Sequence, residues 1–127
     1  MKPRSPAPAI GVIGVGSLGY HHARILSGLA DTEMVGLFDV NAERAEHVGR
    51  DLAVTAHGSL EALLDQADAV VVAVPTVDHE STSVAALERG IHVLIEKPMA
   101  ASLEEADRIL AAARGTGALV QVGHIER

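Results

Sequence analysis

The apolar segment Ile10-Gly11-Val12-Ile13 runs directly into Gly14-Val15-Gly16-Ser17-Leu18-Gly19, and an acid, Asp39, stands twenty positions beyond the last of these glycines. A strand, a glycine-rich turn, a helix, a second strand and a terminal acid are what the first crossover of a dinucleotide-binding unit requires. Gly14 permits a tight turn off the strand, Gly16 lets the backbone approach a pyrophosphate, and Gly19 lets the helix pack closely on the sheet. With Ser17 and Leu18 between them, the glycines place that pyrophosphate at a helix N-terminus. The plain alternative is a structural turn, but glycines alone would not bring the flanking strand, helix and acid with them.

Asp39 falls at the carboxyl end of the second strand, where a carboxylate accepts hydrogen bonds from adenosine ribose hydroxyls. A 2'-phosphate would meet its negative charge, and Val40 and Asn41 bring no cation, so the expected cofactor is NAD, with NADP disfavoured. Arg44, one helical turn later, is the nearby basic residue. A competing reading has Asp39 capping the next helix; both roles are compatible.

The chain of 127 residues, 48% of them apolar, suits one domain with its own core. From Ala9 onward, short apolar runs alternate with amphipathic stretches, the pattern of successive β-α units on a parallel sheet. The fold expected is a single-domain, doubly wound parallel α/β sheet of the Rossmann type, ordered 3-2-1-4-5-6. Its strands fall at 9–13, 34–38, 53–55, 69–74, 92–95 and 119–122, and its helices at 17–28, 42–51, 59–64, 79–89 and 103–114. The run Ala69-Val70-Val71-Val72-Ala73-Val74 is apolar at every position, as a strand buried on both faces is, and belongs mid-sheet. Ser102 and Glu105 form a capping-box pattern for the last helix, Gly115 is its expected stop, and Gly90 ends the helix before it. Residues 1–8, with Pro3, Pro6 and Pro8, read as a flexible leader outside the domain of residues 9–127.

With 17 acidic against 10 basic side chains, the net charge of −7 repels nucleic acid and anionic membranes. No apolar run reaches the roughly 18 residues of a spanning helix, and the leader lacks an apolar signal core, so a cytoplasmic location is expected. There is no cysteine, which removes disulfides and thiol chemistry. Seven histidines invite a metal reading. However, His21 and His22 are neighbours that face different sides of a helix, and His47, His57 and His92 share no ligand spacing, so no metal site is expected.

Two further segments reach the carboxyl edge of the sheet, where open α/β sheets bind ligands. Val74-Pro75-Thr76-Val77-Asp78-His79 faces the cofactor in this reading, with Thr76 and His79 either touching the nicotinamide half or forming a proline-punctuated turn into a helix. Glu96-Lys97-Pro98 places an acid and an amine at the same edge. Lys97 is the candidate for chemistry, since a partly desolvated lysine is usable in proton transfer. The plain alternative is a solvated lysine paired with Glu96.

Taken together, the glycine loop, His22-Ala23, Asp39, Pro75-Thr76 with His79, and Glu96-Lys97-Pro98 resemble the cofactor domain of the Gfo/Idh/MocA oxidoreductases, relatives of glucose-fructose oxidoreductase and inositol dehydrogenase. The resemblance covers residues 9–127 and is most specific at the Glu-Lys-Pro triplet. It implies that Lys97 relays a proton near the substrate hydroxyl and the nicotinamide, that Glu96 and Lys97 border the cofactor, and that a cis bond precedes Pro98. It further implies a second α/β domain forming the substrate wall, which lies beyond this chain.

The ending Val122-Gly123-His124-Ile125-Glu126-Arg127 matches the family's crossover. It is most similar to members acting on nucleotide sugars or other sugar derivatives, so the substrate expected of the parent enzyme is a sugar, nucleotide sugar or cyclitol. Its hydride would pass between nicotinamide and a hydroxyl-bearing carbon, the isolated chain would be inactive, and a homo-oligomer is expected. A non-catalytic dinucleotide-binding sensor or scaffold is the alternative. An S-adenosylmethionine methyltransferase shares the glycine loop and the acid, but has no use for Glu96-Lys97-Pro98.

Overall fold

A computed structural model describes residues 7–123. The expected leader of residues 1–8 falls largely outside that range, as do residues 124–127 of the expected crossover. Of the leader, Pro8 is already tied in, its carbonyl accepting from the Glu33 amide at 2.9 Å.

Among the described residues five strands and five helices follow one another in the order β1 (Ala9–Ile13), α1 (Ser17–Ser27), β2 (Glu33–Phe38), α2 (Ala42–Leu52), α3 (Leu60–Leu64), β3 (Ala69–Val72), α4 (His79–Leu87), β4 (His92–Glu96), α5 (Leu103–Thr116) and β5 (Val120–Gly123). A 3-10 turn, Thr76–Asp78, leads into α4. All strand pairs are parallel, in the order β2-β1-β3-β4-β5. This is the expected doubly wound sheet without its outermost strand.

The strand expected at 53–55 is reduced to a single bridge, Leu37 to Ala56. Ala53 takes a left-handed conformation (φ 58°) as the cap of α2, and Gly36, at φ 139°, turns β2 where its register with β1 shifts. Only the bonds of Leu37 N–H to Thr55 O and of His57 N–H to Leu37 O remain, both 2.9 Å. The ladder of β3 stops at Val72, two residues short of expectation, because Val74 starts the loop toward α4. The last helix passes Gly115 and ends at Gly117, which holds the left-handed cap (φ 78°) and bonds to Ala113 O. Gly90 closes α4 as expected: its N–H reaches Leu87 O at 2.9 Å and that of Ile91 reaches Ala86 O at 3.1 Å.

Side chains alternate across strands, so neighbouring residues feed opposite faces. Val12 and Val71 join Ala23 of α1 and Ala45 and Val48 of α2 on one face. Ile13, Val70 and Val72 join Leu63, Leu87 and Ile109 of α3, α4 and α5 on the other. Strands with both faces covered must be apolar throughout, which is why β3 reads Ala-Val-Val-Val. The two layers leave the carboxyl ends of β1 and β3, where strand order reverses, open to solvent.

Candidate functional site

A crevice of about 730 Å³ opens at that reversal, between Ile13-Gly14 after β1 and Ala73-Val74 after β3, a size suited to a small-molecule ligand. Gly14, Gly16, Ser17, Leu18, Asp39, Val74 and Pro75 line it. Gly19 lies beneath them. A Cβ on Gly19 would stand 1.7 Å from the Gly14 carbonyl oxygen, and Gly14 itself is at φ 90° against the Ala73 backbone. Only glycine allows the helix to start so close to the strand.

Gly16 behaves differently. A Cβ there would meet nothing nearer than the Arg44 guanidinium at 4.0 Å, so the absent side chain leaves open space facing the crevice. Gly16 is also the N-cap of α1, with no side chain covering the helix end and no acid in its first turn. By contrast Asn41, Ser59 and Ser102 cap α2, α3 and α5 by accepting from Arg44 N, Ala62 N and Glu105 N. The first amides of a helix have no partner within it, so α1 directs bare N–H groups and a positive dipole end into a cleft. Such a helix end can seat an anionic group such as a pyrophosphate.

Asp39 closes the other end. It is 8% exposed; Oδ2 accepts from Val15 N and Oδ1 from Asn41 N, both at 2.8 Å. An ionised carboxylate has about four acceptor positions, so it retains capacity for ribose hydroxyls after both bonds. The helix cap is Asn41, which corrects the reading of Asp39 as the capping residue. Arg44 Nη1 lies 3.7 Å from Asp39 Oδ2, half-exposed over the cleft.

Thr76, His79, Glu96 and Lys97 do not line this crevice. His79 is 2% exposed, and its ring is committed to backbone: Nε2 lies 2.9 Å from Val74 O, and Nδ1 lies 3.0 and 3.2 Å from the carbonyls of Pro98 and Met99. It therefore ties the β3 loop to the loop after β4, and its ring has no nitrogen left for a cofactor contact. Thr76 opens the 3-10 turn. Glu96 is buried, and its Oε1 accepts from His22 Nε2 on α1. The alternative pairing of Lys97 with Glu96 is not found: among the described residues the Lys97 side chain has no ion-pair or hydrogen-bond partner, and Glu96 is bonded to His22 instead. It is exposed, so residues 7–123 do not supply the partial burial expected of it. The Lys97–Pro98 peptide is cis.

Asp78, Ser81 and Thr82, at the start of α4, also line the crevice and were missed by sequence reasoning. Their signal was slight, a polar cluster opening an otherwise apolar helix. No group of three or more potential metal ligands occurs among the described residues.

A parallel sheet with a bare helix N-terminus and an acid at its switch point defines a dinucleotide-binding Rossmann domain. Residues 9–124 match the model of the oxidoreductase family with an NAD-binding Rossmann fold, GFO_IDH_MocA, and the chain belongs to that family. It is 41% identical over 117 residues to UDP-N-acetylglucosamine 3-dehydrogenase of Acidithiobacillus ferrooxidans, covering 92% of this chain and 37% of that protein. It is 34% identical over 120 residues to the scyllo-inositol 2-dehydrogenase (NAD(+)) of Bacillus subtilis, covering 91% and 35%. Among solved structures, the A. ferrooxidans dehydrogenase superposes with a TM-score of 0.89 at 38% identity, over 94% of this chain and 39% of that one. GenD2 from gentamicin A biosynthesis, solved in complex with NAD, gives a TM-score of 0.86 at 26% identity, over 97% and 37%. The chain thus spans little more than a third of the length of these relatives.

Proposed function

We propose that this chain is the cofactor half of an NAD-dependent dehydrogenase that oxidises or reduces a hydroxyl-bearing carbon of a sugar, nucleotide sugar or cyclitol. The observation that carries the reading is the uncapped α1 N-terminus at Gly16, opening on a crevice bounded by Asp39. The first amides of α1 hold the pyrophosphate, and Asp39 accepts from the adenosine ribose and disfavours a 2'-phosphate. Val74 and Pro75 border the path toward the nicotinamide end. When bound, NAD supplies the hydride acceptor or donor. Lys97, at the same carboxyl edge, moves the substrate hydroxyl proton, and a second domain supplies the substrate wall. Identity to the UDP-N-acetylglucosamine and inositol dehydrogenases supports the sugar-like substrate class.

The same reading places the enzyme in the cytoplasm as a homo-oligomer. Among the described residues no helix is long and apolar enough to cross a membrane. Leu119 and Leu103 are 69% and 83% exposed, as apolar residues awaiting a partner surface are.

The test is kinetic. In the whole enzyme, Lys97→Ala lowers kcat by on the order of a hundredfold or more while NAD affinity changes little, because proton-transfer assistance contributes roughly 10² to 10⁴. An unaltered kcat would return Lys97 to the role of a solvated surface amine.

A further inference from the structure

Glu96 and Lys97 are adjacent, yet they do not pair. Glu96 ends β4 with its side chain 10% exposed, and Oε1 is taken by the Nε2–H of His22, whose side chain is 19% exposed. A carboxylate only accepts, so the imidazole proton of this bond sits on Nε2. The second oxygen, Oε2, accepts no hydrogen bond among the described residues and stands over Gly123, where a Cβ would lie only 3.7 Å away. Lys97 is exposed on a long flexible stem. A buried carboxylate without a partner is costly, and the nearest cation in sequence would be drawn to it.

We propose that His22 is a positioning residue: by holding Glu96 against α1 it keeps that carboxylate off Lys97, leaving the Lys97 amine uncommitted at the carboxyl edge of the sheet. The bond joins residues 74 positions apart, so the helix that presents the pyrophosphate seat also sets the surroundings of the amine. Pro98, on the other side of Lys97, is held through its carbonyl by His79. Lys97 therefore lies between two residues that histidines from different helices fix in place. This inference deepens the reading that Lys97 handles a proton, and it rests on that reading.

Lys2 and Lys97 are the only lysines of the chain, which makes the amine directly readable. Trace acetylation with acetic anhydride, followed by peptide mass spectrometry, gives the labelling of Lys97 relative to Lys2, in buffer and in urea. The folded parent chain labels freely at Lys97. His22→Ala lowers the ratio severalfold as Glu96 turns to the amine, and adding Glu96→Gln to it restores the parent ratio. His22→Gln, which keeps a donor near the Nε2 position, retains the parent ratio. His22→Asn, polar but too short to reach Glu96, behaves as His22→Ala does and replaces it should the alanine variant fail to fold. An unchanged ratio in a folded His22→Ala or His22→Asn chain overturns the proposal, as does failure of Glu96→Gln to restore labelling. The measurement uses no cofactor, so its failure is distinct from failure of NAD(H) to bind.

Discussion

The Asp39 carboxylate accepts the Val15 backbone N–H at 2.8 Å, fastening the end of β2 to the middle of the glycine loop. In the proposed function, one residue would thereby both shape the pyrophosphate seat and present the ribose acceptor. Asp39→Ala removes both of its backbone bonds and should cost stability, since hydrogen bonds to a charged group contribute roughly 1.5–3 kcal/mol each. It should also narrow the preference for NAD over NADP. Urea unfolding measures the first effect and paired calorimetric titrations the second; an unchanged preference would remove the selective role from Asp39.

Substitutions at Gly16 and Gly19 should separate binding from folding. Gly19→Ala drives a methyl into the Gly14 carbonyl and should destabilise the chain by upward of roughly 4 kcal/mol. Gly16→Ala has room, and should stay within about 1 kcal/mol of the parent while NADH affinity falls at least about tenfold. Thermal unfolding with NADH titration checks the pair; a Gly16→Ala chain that binds as the parent does would contradict the assignment of that open space.

Tyr20 is the single tyrosine of the chain, and its hydroxyl donates to the Asp51 carboxylate. That hydrogen bond favours the neutral phenol and raises its pKa above 10, with burial and the negative charge of Asp51 acting in the same direction and Arg24 opposing. Absorbance at alkaline pH should therefore titrate above the ordinary tyrosine value, and Asp51→Ala should bring the midpoint down. A raised folded-state pKa means that the contribution of this contact is complete below the ordinary tyrosine pKa and is lost as pH rises through the folded one. An identical midpoint in both chains would show that the contact does not persist in solution.

Ser83 is fully buried in α4, and its hydroxyl has no hydrogen-bond partner among the described residues. An unsatisfied buried hydroxyl costs about 1–3 kcal/mol, so Ser83→Ala should be neutral or stabilising by roughly 1 kcal/mol, despite the deletion of a core atom. Denaturant midpoints decide it, a clear loss of stability being the contrary result.

Where a single element dictates its own pattern, the sequence was legible. β3 is apolar at every position because Val70 and Val72 serve one core and Val71 the other. The glycine loop and Asp39 were readable because spacing alone brings them to one crevice. The strand expected at 53–55 was not, because Ala53 adopts a helix-capping conformation that its side chain does not announce. Nor did the sequence distinguish Gly115 from Gly117, both of which follow Arg114. His79 looked like a ligand contact because it opens a helix at the sheet edge; its partners Pro98 and Met99 lie about twenty residues on, beyond any local pattern. The His22 bond to Glu96 was hidden for the same reason.

The most direct test of the account is calorimetric titration of this chain with NADH and, separately, NADPH. Saturable binding at one site, with NADH tighter by on the order of tenfold or more, is the predicted result, since the α1 N-terminus and Asp39 lie wholly within these residues. No NADH binding by the folded chain, or NADPH binding as tight or tighter, would contradict it.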